Sequence, residues 1–124
     1  MQNKTIKHFS GKVIKGSGDG RKIGFPTANI LPKIDISSLK YGVYACEILI
    51  NNISYNGVAH YGPRAVFDET KPQFEVHILD FDEDIYGELV NIFLGKRIRE
   101  TMKFYTIDDL VKQIKIDISK ITSN

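Results

Sequence analysis

Gly42-Val43-Tyr44-Ala45-Cys46-Glu47-Ile48-Leu49-Ile50-Asn51-Asn52-Ile53-Ser54-Tyr55-Asn56-Gly57-Val58-Ala59-His60-Tyr61 holds two apolar runs joined by a pair of asparagines. β-Branched and aromatic residues of this kind favour strands. Asparagine tolerates the left-handed backbone that short hairpin connections use. The stretch is therefore predicted as a hairpin, with strands Gly42 to Ile50 and Ser54 to Tyr61. Similar runs lie on both sides, at Phe9 to Lys15, Phe74 to Leu79 and Glu88 to Leu94, separated by Gly, Pro, Asn and Asp clusters. This is the pattern of an antiparallel β protein.

After Phe104 the period changes. Ile107, Leu110, Val111, Ile114, Ile118 and Ile121 recur at helical spacing and form one stripe. Thr106 followed by Asp109 supplies an N-cap and an acidic third residue, which predicts a helix starting there. Strands followed by a terminal helix exclude a Rossmann fold, which alternates β and α elements.

The chain has 124 residues, enough for one domain with its own core, so a single domain over 1–124 is expected. Hydrophobic residues at 42% and charged residues at 26% exclude disordered, collagenous and coiled-coil classes. No apolar run approaches the roughly 18 to 20 residues that span a bilayer, and Met1 to Ser10 has no signal-peptide core. A soluble, cytoplasmic protein with no membrane partner is the expectation. The single cysteine, Cys46, forms no internal disulfide and reads as a small core residue.

The net charge of +2 conceals a strong asymmetry. Residues 1–40 carry eight Lys/Arg against two Asp/Glu, residues 41–95 carry two against nine, and residues 96–124 carry seven against four. Cations with aromatics on a small barrel raise single-stranded nucleic-acid binding. Here the cations sit in a glycine loop and the helical tail, not among exposed aromatics, so no nucleic-acid partner is expected.

Gly16-Ser17-Gly18-Asp19-Gly20-Arg21-Lys22-Ile23-Gly24 concentrates four of the ten glycines beside two cations. Backbone N–H groups of such a loop can converge on phosphate oxygens. Its spacing fits neither GxGxxG nor the Walker A pattern, and a plain flexible loop is the competing reading. In the following Phe25-Pro26-Thr27-Ala28-Asn29, Thr27 and Asn29 share a face if extended. Two neutral oxygens there suit Mg2+, or they bond their own backbone in a turn. In Phe74-Glu75-Val76-His77-Ile78-Leu79, alternation puts Glu75 and His77 on one face. Glu75 is a candidate general base or a solvated strand glutamate, and His77 a second catalytic group or a hydrogen-bonded neighbour. The acidic run Asp80, Asp82, Glu83 and Asp84 reads as a solvated loop.

In order along the chain, His8-Phe9-Ser10-Gly11-Lys12-Val13-Ile14-Lys15-Gly16, Gly20-Arg21, Gly24-Phe25-Pro26-Thr27-Ala28-Asn29, Gly42-Val43-Tyr44, Tyr61-Gly62-Pro63-Arg64, Phe74-Glu75-Val76-His77, Tyr86-Gly87, Ile98-Arg99 and Met102-Lys103-Phe104 resemble the riboflavin kinase (flavokinase) family. The resemblance covers nearly the whole chain. It implies a mainly β fold, a six-stranded antiparallel Greek-key barrel with a C-terminal helix. It also implies conversion of ATP and riboflavin to ADP and FMN with Mg2+ or another divalent ion.

By the family pattern, Glu75 is the base that takes the proton from the ribityl 5′-hydroxyl, and Thr27 and Asn29 hold the metal. Gly16, Ser17, Gly18, Gly20, Arg21, Lys22 and Gly24 cradle the ATP phosphates, while Phe25, Pro26, Arg99 and Phe104 lie on the flavin side. Two positions depart from the pattern: Thr101 where glutamate is common, and Ala65-Val66-Phe67 in place of Pro-Thr-Phe. Neither touches Thr27, Asn29 or Glu75, so activity is expected to be retained in a monomer. A non-catalytic flavin- or nucleotide-binding regulatory module on the same fold is the alternative. In many bacteria this kinase is half of a bifunctional protein with an FMN adenylyltransferase. The 124 residues leave no room for that half, so the chain is expected to stop at FMN.

Overall fold

Asn51 and Asn52 adopt φ values of 49° and 67°, left-handed at both central positions of a two-residue turn. The strands they join run Gly42–Ile50 and Ile53–Gly62 and pair from Gly42↔Tyr61 to Ile50↔Ile53. The predicted hairpin is therefore present. The computed structural model describes residues 6–16, 21, 23–63 and 71–122. Its strands are β1 (His8–Ile14), β2 (Ala28–Pro32), β3 (Gly42–Ile50), β4 (Ile53–Gly62), β5 (Gln73–Ile78) and β6 (Leu89–Arg99), followed by helix α1 (Ile107–Thr122).

The strands close into a barrel in the order β1-β2-β5-β4-β3-β6, with every pairing antiparallel. Successive neighbours β3, β4 and β5, with β6 returning beside β3, make the Greek key. Closure leaves no open edge among the described strands to template aggregation. Alternation decides what faces inward: Phe74, Val76 and Ile78 are buried, while Glu75 and His77 between them are half-buried on the outer face. Phe9 from β1 meets Phe74 edge to face at 5.0 Å across the interior, which Ile48, Val90 and Ile92 help to fill. Cys46 lies in the same cluster, and burial with the adjacent Glu47 charge pushes its thiol up to about 12, so it stays protonated and inert at neutral pH.

Two elements depart from the local reading. β2 was not among the apolar runs, because it offers only five residues and ends in proline. Pairing to β1 through Gly11↔Pro32 to Ile14↔Asn29, and to β5 through Ala28↔Val76 to Ile30↔Phe74, makes it a strand. β6 continues past Leu94 through the polar Gly95-Lys96-Arg97 to Arg99. That extension lies against β3 through a bulged register.

Helix α1 starts where predicted, with the Asp109 N–H donating to Thr106 Oγ1 at 3.1 Å. Asp108 and Asp109 in its first turn and Lys120 in its last complement the dipole. The helix packs against β4 on the outside of the barrel. Leu110, Val111, Ile114, Ile118 and Ile121 are half-buried, but Ile107 is 41% exposed, and the deepest residue on the helix is Asp117 at 2%. Among the described residues, no helix is long and apolar enough to cross a membrane.

Candidate active site

Residues directly opposite in antiparallel strands carry their side chains on the same face. The registers Ile14↔Asn29, Asn29↔Glu75, Glu75↔His60, His60↔Val43 and Val43↔Arg99 therefore define one row across six strands. The row lies on the outer face, because Phe74 and Val76 flanking Glu75 point into the core. Neighbouring strands are about 4.8 Å apart, so Asn29 and Glu75 are adjacent while Arg99 lies roughly 14 Å from Glu75 along the curved wall. Residues far apart in sequence thus meet on rigid strands.

Two clefts open beside this row. The smaller, of about 230 Å³, is lined by Gly16, Arg21, Thr27 and Asn29 on one side and by the 81–86 loop on the other. The larger, of about 550 Å³, is lined by Ile34, Asp35, Ile36, Tyr61, Gln73 and Phe74 among others. Ile14, Lys15, Gly16 and Asn29 belong to both, so the clefts adjoin at Asn29. Gly16 is close-packed there: a Cβ on it would sit 1.9 Å from Asn29 Nδ2. The absence of a side chain at Gly16 is what lets the Asn29 carboxamide occupy its place.

The wall of the smaller cleft changes character along its length. Lys15 and Arg21 supply positive charge near Gly16, and the Lys15 ammonium sits 5.7 Å from the Tyr86 ring centroid. Phe81, Ile85 and Tyr86 make an apolar section, rimmed by Asp82, Glu83 and Asp84. That acidic run, with Asp80, has the composition of a solvated loop. Its side chains are exposed, but the β5–β6 connection folds it against the cleft, a placement no local pattern signals. In the larger cleft, burial is the main cause that raises the Tyr61 phenol above its ordinary value.

Of the residues singled out in the sequence, Thr27, Asn29, Gly16 and Arg21 line the smaller cleft together, with Pro26 beside them. Glu75 sits next to Asn29 by register and itself lines neither cleft. Gly24 has a φ of 90° and closes a turn through its N–H to the Arg21 carbonyl at 3.2 Å, outside both clefts. Ser17, Gly18, Gly20, Lys22, Arg64 and the Ala65-Val66-Phe67 departure lie outside the described residues. Of the four residues expected on the flavin side, Phe25, Arg99 and Phe104 line neither cleft, and Pro26 lines the smaller one with Thr27.

The Phe25 ring meets His77 edge to face at 5.6 Å, and Phe104 is half-buried in the connection between β6 and α1. Arg99 donates from Nε and Nη2 to the two carboxylate oxygens of Asp117, both at 2.9 Å. Arg99 therefore ties β6 to α1.

Thr27 and Asn29 offer neutral, hard oxygens on the wall of a cleft that also carries cations and a glycine approach. That donor set fits Mg2+, which takes few protein ligands and keeps waters and phosphate oxygens around it.

The riboflavin kinase profile, Flavokinase, matches residues 4–124. The chain is 41% identical over 110 residues to the bifunctional riboflavin kinase/FMN adenylyltransferase of Escherichia coli strain K12, covering 88% of this chain and 35% of that protein. It overlays the crystal structure of riboflavin kinase from Trypanosoma brucei with a TM-score of 0.65 at 26% identity, covering 95% of this chain and 80% of that one. It also overlays a crystal structure described as a macrolide-efflux protein from Streptococcus pneumoniae, with a TM-score of 0.80 at 36% identity, covering 94% and 38%. The chain belongs to the riboflavin kinase family. It spans about a third of the length of the bifunctional relatives it matches.

Proposed function

We propose that this chain transfers the γ-phosphoryl group of ATP to the ribityl 5′-hydroxyl of riboflavin, giving FMN and ADP. The observation that carries the proposal is the meeting of two clefts at Asn29, whose register partner is Glu75. A phosphoryl donor in one cleft and an alcohol acceptor in the other would come together beside a carboxylate. The smaller cleft suits the nucleotide, with phosphates toward Gly16, Lys15 and Arg21 and the base toward Phe81, Ile85 and Tyr86. The larger, with Ile34, Ile36, Tyr61 and Phe74 for planar contact and Asp35 and Gln73 for polar groups, suits the flavin.

In-line transfer requires positioning, charge neutralisation and one oriented base. Glu75 accepts the proton of the 5′-hydroxyl as its oxygen bonds to the γ-phosphorus and the bond to the β,γ-bridging oxygen breaks. Backbone N–H groups near Gly16 and the Arg21 guanidinium stabilise the charge on the transferring group and the departing ADP. Thr27 and Asn29 would hold Mg2+, which supplies charge neutralisation at the β- and γ-phosphates. The bonding of Arg99 to Asp117 supports a role in seating the helix.

Incubation with ATP, Mg2+ and riboflavin, followed by chromatographic separation of flavins, is expected to give FMN only when ATP is present. Flavin binding with no FMN formed would overturn the kinase reading and leave the regulatory one.

The Gly16 contact gives a second test. A methyl at Gly16 clashes with the movable end of the Asn29 side chain, so it displaces the carboxamide while the barrel remains. Gly16→Ala is expected to lower turnover at least about tenfold, as a displaced positioning group does, with the thermal midpoint little changed. Unaltered turnover would show that the Asn29 carboxamide has no part in the reaction.

A further inference from the structure

His77 is the strand residue that the reaction outlined above does not use. It shares the outer face of β5 with Glu75 and is half-buried. Its Nδ1 lies 2.8 Å from the Pro26 carbonyl oxygen. A carbonyl oxygen only accepts, so Nδ1 carries a proton in this contact, whether the ring is neutral or charged. The Phe25 ring stands edge to face with the imidazole, at 5.6 Å and 74°. One side chain thus engages both residues that precede Thr27.

The backbone around Thr27 explains why this matters. The β2–β5 ladder begins at Ala28↔Val76, so Thr27 lies just outside it. Proline has no N–H, so Pro26 cannot extend the ladder as a donor. On the other side, Gly24 turns the chain with a φ of 90°, and a Cβ there would meet nothing within 4 Å. Segment 25–27 therefore bridges a loosely packed glycine turn and the first paired residue of a strand. The Pro26 carbonyl belongs to the peptide plane that includes the Thr27 nitrogen and ends at the Thr27 Cα. A hydrogen bond from His77 fixes that plane, and with it the direction from which Thr27 leaves the backbone.

We infer that His77 is a positioning residue for the metal and phosphate site: it holds the Pro26–Thr27 peptide so that Thr27 faces the smaller cleft beside Asn29. The inference rests on the proposed role of Thr27. It deepens that role by assigning the placement of Thr27 to a side chain from a different strand.

The test separates the hydrogen bond from the ring. His77→Phe keeps an aromatic ring against Phe25 and removes the donor, whereas His77→Asn keeps an amide N–H close to the Nδ1 position. Binding of ADP with Mg2+ is measured by calorimetry, and half-saturation by Mg2+ and by riboflavin is measured in turnover, for both variants and for Thr27→Ala. His77→Phe is expected to weaken ADP binding with Mg2+ about fivefold and raise the half-saturating Mg2+ concentration about fivefold, in line with one lost hydrogen bond. Riboflavin half-saturation and the thermal midpoint stay near wild type. His77→Asn is expected to recover most of the loss.

A loss in Thr27→Ala without one in His77→Phe overturns the positioning role alone. Losses in neither variant overturn both this role and the metal-holding reading of Thr27. A loss in His77→Phe without one in Thr27→Ala, or equal losses in the Phe and Asn variants, also overturns the inference, because His77 would then not act through a donated bond on Thr27.

Discussion

Glu75→Gln is expected to lower the turnover of riboflavin phosphorylation by about 10²- to 10⁴-fold, the range a single positioned general base contributes. The amide has the shape of the carboxylate and can still hydrogen-bond, so β5 and its pairing to β2 and β4 are expected to persist. What disappears, on the proposed mechanism, is the group that takes the proton of the attacking hydroxyl. Affinity for ADP with Mg2+ should remain within about twofold, since a base acts on the acceptor and its loss leaves uniform nucleotide binding in place. Steady-state turnover with parallel calorimetric titration reads both quantities. Turnover undiminished in this variant would remove Glu75 from the reaction, and ADP affinity falling as far as turnover would make it a binding group.

The second large effect concerns stability. Asp117 is 2% exposed and accepts three hydrogen bonds: two from Arg99 at 2.9 Å and one from Gln113 Nε2 at 3.0 Å. Asp117→Ala leaves the Arg99 guanidinium, whose side chain is 13% exposed, without its counter-charge. Removing one member of a buried pair costs about 3 kcal/mol, a substantial part of the roughly 5–15 kcal/mol that stabilises an ordinary domain. The thermal midpoint is expected to fall by roughly 10 °C.

Replacing both partners by apolar residues, as in Arg99→Met with Asp117→Leu, is expected to restore most of the midpoint, because no unpaired charge remains buried. A midpoint unchanged in Asp117→Ala would show that the pair does not anchor the helix. The double variant, which removes the guanidinium while the helix stays seated, separates two readings of Arg99. If Arg99 acts only as an anchor, FMN formation well below the new midpoint stays near wild type.

Local sequence pattern carried most of the fold because local physics dominates there. Asn51 and Asn52 take the left-handed conformations that their side chains tolerate. Thr106 caps the helix it precedes. Where pairing overrides composition, the pattern was silent. Ala28–Pro32 is a strand only because β1 and β5 flank it, and Gly95 to Arg99 only because β3 holds it through a bulge. Asp117 interrupts the apolar stripe of α1, and nothing in a helical periodicity indicates that a distant arginine will pair with it.

The candidate site divides in the same way. Residue chemistry offered Thr27 and Asn29 as candidate oxygen ligands and Glu75 as a candidate base, beside a self-bonded turn and a solvated glutamate. Hard neutral oxygens and an outward carboxylate are properties of the residues and their alternation; the family resemblance supplied the expected roles. Only the closed barrel decides that Asn29 and Glu75 are neighbours, and that Ile14, His60, Val43 and Arg99 extend their row, since register across strands depends on which strands pair. Side-chain geometry alone turned His77 into a contact on Pro26 and Arg99 into a partner of Asp117. The sequence determined the kinds of groups available and the face of the strand each would take. Their assembly beside two adjoining clefts came from long-range pairing and packing, which no contiguous stretch of chain encodes.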